Sequence, residues 1–295
     1  MAVIVTKGLP CISLLKEEGV NILDEVPVGV TPARIGLLNL MPMKEYAEMD
    51  YYRALSQSYI DAEIILVKLT GQKYKNAPQE YVDQYYRDIH EVMQEPLDGF
   101  IITGAPVEDI PFEEVRYWNQ MLEVYEWLAR NPQMGKLHIC WGAQAALYAQ
   151  FGIHKHLVPQ KIFGVFEQIP VPLPIFNGLT PYFCMPQSRH SECIAEEIYR
   201  EKALEVIAAS PLCGPGVIRR KGLPEYYVTG HLEYSPLRLD FEYHRDLEKN
   251  LPIHLPYNYY EDDDPEGQIL YSWRESAIRF FTNWLEYCAN PNRRF

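Results

Sequence analysis

Four short apolar runs recur along the first half of the chain: "ARIGLLNL" at 33–40, "AEIILVKL" at 62–69, "DGFIITGA" at 98–105 and "KLHIC" ending at Cys140. Stretches with helical patterning lie between them, at 45–58, 78–94 and 112–131. Strands that are apolar throughout are buried on both faces, and a strand–helix alternation of this kind closes only as a parallel sheet with helices on both sides. The rhythm therefore predicts a three-layer α/β fold. Ligands of such sheets meet the carboxyl ends of the strands, and three runs end there in small or polar turns, "NLMPMK", "TGAPVE" and "ICWGAQ".

The second half changes character. Prolines cluster in "FEQIPVPLPIFNGLTP" at 166–181, and strands follow near 204–210, 216–221 and 225–230. No repeat is present, and no linker is long or polar enough to separate domains. The expected organisation is one α/β domain over 33–295, with an N-terminal extension over 1–32 packing on it. The acidic run "EDDDPEG" at 261–267 reads as a solvated loop that caps the helix after it.

Bulk properties exclude several classes of function. The 295 residues are 47% hydrophobic and 23% charged, as in a soluble globular protein. No apolar run nears the ~20 residues of a membrane span, and Lys7, Pro10 and Lys16 interrupt the N-terminus before a signal-peptide pattern forms. A cytoplasmic location without membrane attachment is expected. A formal charge of −13, with no basic stripe to offset it, argues against nucleic acid as a partner. Six cysteines without CxxC spacing argue against a disulfide framework and against a bound metal.

Cys140 falls where the strand "KLHIC" meets the helix-forming "GAQAALYAQF". A side chain at such an elbow is exposed above the sheet, over a helix N-terminus whose dipole and free N–H groups favour a thiolate. The elbow needs a small residue two places on, here Gly142. The competing reading is a buried small apolar residue, the commoner fate of free cysteine. A cysteine nucleophile needs a base, and the base an orienting group. "VTGHLEY" at 228–234 offers both: His231 and Glu233, two apart, share one side of an extended segment. Their competing reading is a surface histidine beside a surface glutamate.

The pattern "CWGAQ" with a later "HLE" resembles class I glutamine amidotransferases. A closer resemblance runs in register over almost the whole chain, through "NLMPMK", "ITGAPVEDIPFEEVRYW", "ICWGAQAALYAQFGIHK", "QKIFGVFE", "SRH", "VTGHLEY", "HRD", "LPYNYYEDDDP" and "FTNWLEY". These segments are similar to the MetA-type homoserine O-acyltransferases.

That resemblance implies an amidotransferase-like (flavodoxin-like) fold and a ping-pong acyl transfer from acyl-CoA to an amino-acid hydroxyl. Cys140 would be the nucleophile, His231 the base and Glu233 its orienting acid. The N–H groups of Trp141 and of the Leu40 turn would form an oxyanion hole. Lys161 and Ser188 would touch substrate, Arg245 would clamp the acceptor's α-carboxylate, and Lys44 would stand near the acyl site. Glu108 takes the position where the family carries glycine or glutamate beside the acyl tail, and a glutamate implies acetyl-CoA as donor. No cofactor beyond that co-substrate is implied, and a homodimer is compatible with the family.

Several positions depart from the family pattern. Leu232 replaces the usual proline between His231 and Glu233, and "KEYAE" at 44–48 stands where a lysine is followed by "IETE". Phe163 replaces a serine and Gln187 a histidine, in segments expected to line the acceptor pocket. A phenyl ring there would remove volume, so serine stands beside homoserine as an acceptor. A reading of another class is an amidotransferase-like hydrolase, which would need a glutamine pocket and an ammonia-accepting partner domain that nothing in these 295 residues supplies.

Overall fold

The computed structural model describes residues 2–74 and 76–290, so Met1, Lys75 and the last five residues of the expected domain lie outside it. The first half is built as its apolar runs dictate. After β1 (Val3–Ile4), α1 (Cys11–Glu17) and β2 (Ile22–Leu23) come β3 (Ala33–Leu38), α2 (Lys44–Ser56), β4 (Ala62–Lys68), α3 (Gln79–Tyr85), β5 (Arg87–Asp88) and α4 (Ile89–Val92). Then follow β6 (Gly99–Ile102), α5 (Trp118–Arg130), β7 (Gly135–Ile139) and α6 (Trp141–Phe151). The second half comprises β8 (Lys155–Pro170), β9 (Phe183–Cys193), α7 (Ala195–Arg200), β10 (Leu204–Ser210), β11 (Gly214–Arg220), β12 (Glu225–Val228), α8 (Arg238–Glu248) and α9 (Arg274–Ala289).

Among the described residues one sheet runs in the order β2-β1-β4-β3-β6-β7-β12-β11-β10-β8-β9, with β5 also on β4. It is parallel from β2 to β12 and antiparallel beyond. Alternate residues of the parallel strands enter two cores. Ile35, Leu37, Ile101 and Leu137 meet α2 and α9 through Tyr51, Leu55, Phe281 and Trp284. Leu38, Phe100 and Ile102 meet α5 and α6 through Met121, Leu128, Ala146 and Leu147. The three layers follow from strands apolar on both faces. No helix of the described residues is long and apolar enough to cross a membrane.

Three local expectations are corrected, and the N-terminal extension takes a place in the sheet. The 78–94 helix is two helices, because the chain is extended from Tyr86 to Asp88, where the Asp88 side chain caps α4 by accepting the His90 N–H at 2.9 Å. The 112–131 helix begins at Trp118, behind a separate 3₁₀ turn over Phe112–Glu114. The N-terminal extension adds β1 and β2 to the sheet's edge beside β4. The acidic run caps nothing: it forms an exposed turn at Glu261–Asp263, while α9 starts at Arg274 with no side-chain cap.

The proline-rich second half holds the largest surprise, the long antiparallel hairpin of β8 and β9. Pro159 sits in the irregularity between the Leu157 and Ile162 pairings, and Pro186 lies in the edge strand, the two places a sheet tolerates proline. The hairpin reaches the site directly, because the His231 N–H donates to the Pro186 carbonyl at 2.8 Å.

Candidate active site

Cys140 takes a backbone conformation that L-residues rarely adopt, φ 52°, ψ −117°, and α6 starts at the next residue. Its N–H donates to the Val228 carbonyl at 2.8 Å, fixing the elbow to the end of β12. Gly142 makes the turn sterically feasible: a Cβ there would stand 2.7 Å from the Thr103 carbonyl oxygen and 2.9 Å from that of Ile102. The close approach is to the neighbouring strand β6. Gly104 matters in the same way, since a Cβ on it would stand 3.3 Å from the Cys140 Cβ and 3.7 Å from the His231 Cε1.

His231 follows β12 through Thr229 and Gly230. The His231 Nδ1 lies 2.7 Å from the Glu233 Oε1, and the Cys140 thiol is within hydrogen-bonding reach of the imidazole. The pair is joined through a turn rather than an extended segment, and Cys140, His231 and Glu233 are 5%, 4% and 6% exposed. Burial disfavours the imidazolium, but negative charge at Cys140 and Glu233 outweighs it and holds the His231 pKa well above 6.5. The Tyr234 ring stacks on the imidazole at 4.1 Å and 16°, and Trp273 Nε1 donates to the Tyr234 carbonyl at 2.9 Å.

A pocket of about 110 Å³ opens beside His231 and Glu233, walled by Thr103, Gly104, Tyr51, Glu242 and Arg245. Arg245 projects from α8, half-exposed, with its Nε 2.8 Å from Asp246 Oδ1. Lys161 and Ser188 reach the pocket through Glu242: the Lys161 Nζ lies 3.3 Å from Glu242 Oε2 and 3.2 Å from Asp246 Oδ2, and the Ser188 hydroxyl donates to Glu242. Burial pushes the Glu242 carboxyl up, but Lys161, Ser188, His231 and Arg245 together hold it below its ordinary value. Arg238, also on α8, bonds Asp50 of α2 at 3.0 and 2.5 Å. Burial lifts the Asp50 pKa to about 6 against the pull of that guanidinium.

Other expected site residues lie outside the lining of that pocket. Lys44 is buried with its ammonium 4.8 Å from the Tyr74 ring centre, hydrogen-bonded to the Asn39 carbonyl, and burial lowers its pKa to about 8. It lines a second, larger groove. The Trp141 N–H belongs to the first turn of α6, where amides lack helical acceptors. The Leu40 N–H already donates to Thr103 Oγ1 at 2.8 Å. Phe163 is fully buried beneath the Lys161 ammonium, 4.2 Å from ring centre to Nζ, and packs in the core with Tyr259 and Trp273. Gln187 is also fully buried, accepting from Arg189 Nε at 3.0 Å. Neither lines the pocket, so the Phe163 ring takes no volume from it and gives serine no support as an acceptor. Glu108 lines a separate cavity with His154, Lys155 and His156, and its carbonyl accepts from Lys155 Nζ at 2.5 Å.

Sequence reasoning missed Gly104, Tyr234, Glu242 and the Asp50–Arg238 pair. "EYHRD" at 242–246 signalled Glu242 faintly, as an acid one helical turn before Arg245.

The fold is a three-layer α/β fold of the class I glutamine amidotransferase-like type, with the Cys–His–Glu constellation at the strand ends. Solved structures agree on the fold: a glutamine amidotransferase from Thermotoga maritima matches with a TM-score of 0.56 at 12% identity over 88% of this chain and 98% of its own. The glutaminase domain of a Trypanosoma brucei CTPS does so with a TM-score of 0.56 at 9% identity, over 90% and 96%. More particularly, a family model described as homoserine O-succinyltransferase matches residues 2–294, and the chain belongs to that family. A relative from Bacteroides fragilis named homoserine O-acetyltransferase is 43% identical over 95% of this chain and 93% of its own length. One of the same name from Petrotoga mobilis is 39% identical over 97% and 94%.

Proposed function

We propose that the protein transfers an acetyl group from acetyl-CoA to the side-chain hydroxyl of L-homoserine, through an acyl-cysteine, as a step of methionine biosynthesis. The observation that carries this reading is the buried Cys140–His231–Glu233 constellation, whose His231 and Glu233 line a small pocket that offers both a carboxylate and a guanidinium. Cys140 Sγ, as the anion paired with the imidazolium, attacks the thioester carbonyl. The bond from that carbon to the CoA sulfur breaks, and the departing sulfur takes the proton from His231 Nε2. Thioester exchanges for thioester, so the step is nearly isoenergetic.

The homoserine hydroxyl then gives its proton to His231 and attacks the acetyl carbonyl. Cys140 leaves as the thiolate, the imidazolium again faces it, and O-acetylhomoserine departs. Glu233 holds Nδ1 throughout. Arg245 takes the acceptor's α-carboxylate and Glu242 its ammonium, each charge meeting its opposite in a partly desolvated pocket. The Trp141 N–H receives the developing oxyanion, and the Leu40 N–H joins it by exchanging Thr103 Oγ1 for the substrate oxygen. The names of the relatives support acetyl as the transferred group and homoserine as the acceptor.

Incubation with acetyl-CoA alone is expected to add one acetyl group to Cys140, seen by mass spectrometry of the intact protein and its peptides. Homoserine should then remove it, with serine much less effective. Cys140→Ala should neither acquire the group nor release CoA. Steady turnover by Cys140→Ala would overturn the mechanism.

A further inference from the structure

The pocket beside His231, at about 110 Å³, has room for a small amino acid and an acetyl group. Sites for cofactor-sized ligands run to roughly 300–1,000 Å³. The rest of an acyl-CoA, a pantetheine arm ending in a diphosphate, an adenosine and a 3′-phosphate, must lie outside it. A groove of about 460 Å³ adjoins the pocket, and the two share Met41, Pro42 and Pro106. These residues, from the turns after β3 and β6, form a sill over which a thioester could pass toward Cys140.

The groove is also the right sign for phosphate. Lys44, Lys73 and Arg116 line it against one carboxylate, Glu114, in a chain whose formal charge is −13. Among the described residues neither Lys73 nor Arg116 stands in an ion pair. The Arg116 guanidinium is braced by Gln72 Oε1 at 2.8 Å and the Lys73 carbonyl at 3.5 Å, leaving its remaining N–H groups for another acceptor. Tyr74 and Tyr117 supply aromatic wall to the groove. The acceptor groups, Glu242 and Arg245, line the other pocket and not this groove.

We infer that this groove is the donor subsite, with Arg116 and Lys73 on the CoA phosphates and the pantetheine arm crossing the Met41–Pro42–Pro106 sill. The two substrates of the ping-pong cycle then approach one sulfur from opposite sides. This assignment rests on the acyl-CoA reading given above.

The test compares acetyl-CoA with S-acetyl-N-acetylcysteamine, a thioester without phosphates. Both cations are exposed, so their replacement leaves the core intact. In the double variant Lys73→Glu with Arg116→Glu, the KM for acetyl-CoA is expected to rise about tenfold or more, the equivalent of ~1.4 kcal/mol. The corresponding double alanine variant should rise less. The kcat/KM for the truncated thioester and the KM for homoserine should not move. For the unmodified protein, added salt should raise the KM for acetyl-CoA and spare the truncated donor. An unshifted KM for acetyl-CoA in the charge-reversed protein, or an equal loss with both donors, overturns the groove assignment alone. Failure of the unmodified protein to form any acyl-enzyme with acetyl-CoA overturns the acyltransferase reading, and this assignment with it.

Discussion

Gly142 passes Thr103 so closely that a Cβ on it would stand 2.7 Å from the Thr103 carbonyl oxygen. The contact joins the first turn of α6 to the end of β6, so the glycine sets how deeply the helix carrying Cys140 seats on the sheet. Gly142→Ala must push the helix away, and overpacking of a rigid core costs roughly 1–3 kcal/mol. Thermal denaturation should reveal that loss, and acyl-enzyme formation should slow because Cys140 moves with the helix. An alanine variant with unchanged melting temperature and acylation rate would show that the approach is not constraining.

Glu233 is one of the two negative groups that raise the His231 pKa, the other being Cys140. Removing its charge in Glu233→Gln should move the imidazole titration downward, measurable by NMR of the labelled histidine. The protonated range then shrinks, and less thiolate–imidazolium pair is available to attack the donor at neutral pH. His231→Asn should lose roughly 10²–10⁴-fold in both half-reactions, the usual worth of a general base, and Glu233→Gln should lose less. A titration midpoint unmoved by Glu233→Gln would detach the acid from the base.

The elements legible in the sequence are those whose signal is local. Continuous apolar runs mark β3, β4, β6 and β7 because both faces of each strand are buried, and Cys140 shows itself by its place between such a run and a helix. The hairpin of β8 and β9 escaped because it holds Pro159, Pro170 and Pro186 and runs into the proline cluster at 166–181, and whether proline breaks a strand depends on edges and bulges that only the assembled sheet defines. The wall of the pocket was equally hidden. Asp50 and Arg238 meet across 188 residues of chain, and Glu242 becomes a site group only when α8 docks against Lys161 and Ser188. His231 and Glu233 were legible as a pair, but a turn brings them together, not the pleat of a strand.

Lys161 keeps two buried carboxylates, Glu242 and Asp246, ionised. Burial acts against both, yet the surrounding donors and cations hold both below their ordinary values. A depressed acid stabilises the fold above its unfolded pKa and loses that contribution on acidification. Lys161→Ala should therefore cost ~3–5 kcal/mol at neutral pH, where it strands buried charge. The penalty should shrink as the pH falls below the ordinary carboxylate range and the two lowered carboxyls protonate. Denaturant unfolding at neutral pH and below that range checks this. An equal penalty at both would mean that Lys161 acts through packing.

Glu108 sits on the turn after β6, whose Val107 and Ile110 line the groove assigned to the donor, while Glu108 itself faces the cavity containing Lys155. A succinyl donor would bring a carboxylate of its own on the acyl chain. Two carboxylates at ~4 Å repel by about 1–4 kcal/mol for dielectrics between water and a protein surface, and each ~1.4 kcal/mol is tenfold in selectivity. Glu108→Gly removes charge and bulk together, whereas Glu108→Gln removes charge alone. With Glu108 facing the neighbouring cavity and not the donor groove, its charge acts at longer range than that contact. Both variants are expected to raise kcat/KM for succinyl-CoA relative to acetyl-CoA by less than about tenfold, with the glycine variant gaining further if space also matters. A gain confined to Glu108→Gly would assign donor choice to volume. A gain in neither variant would leave Glu108 as a partner of the Lys155 turn and return donor choice to the walls of the pocket at Cys140.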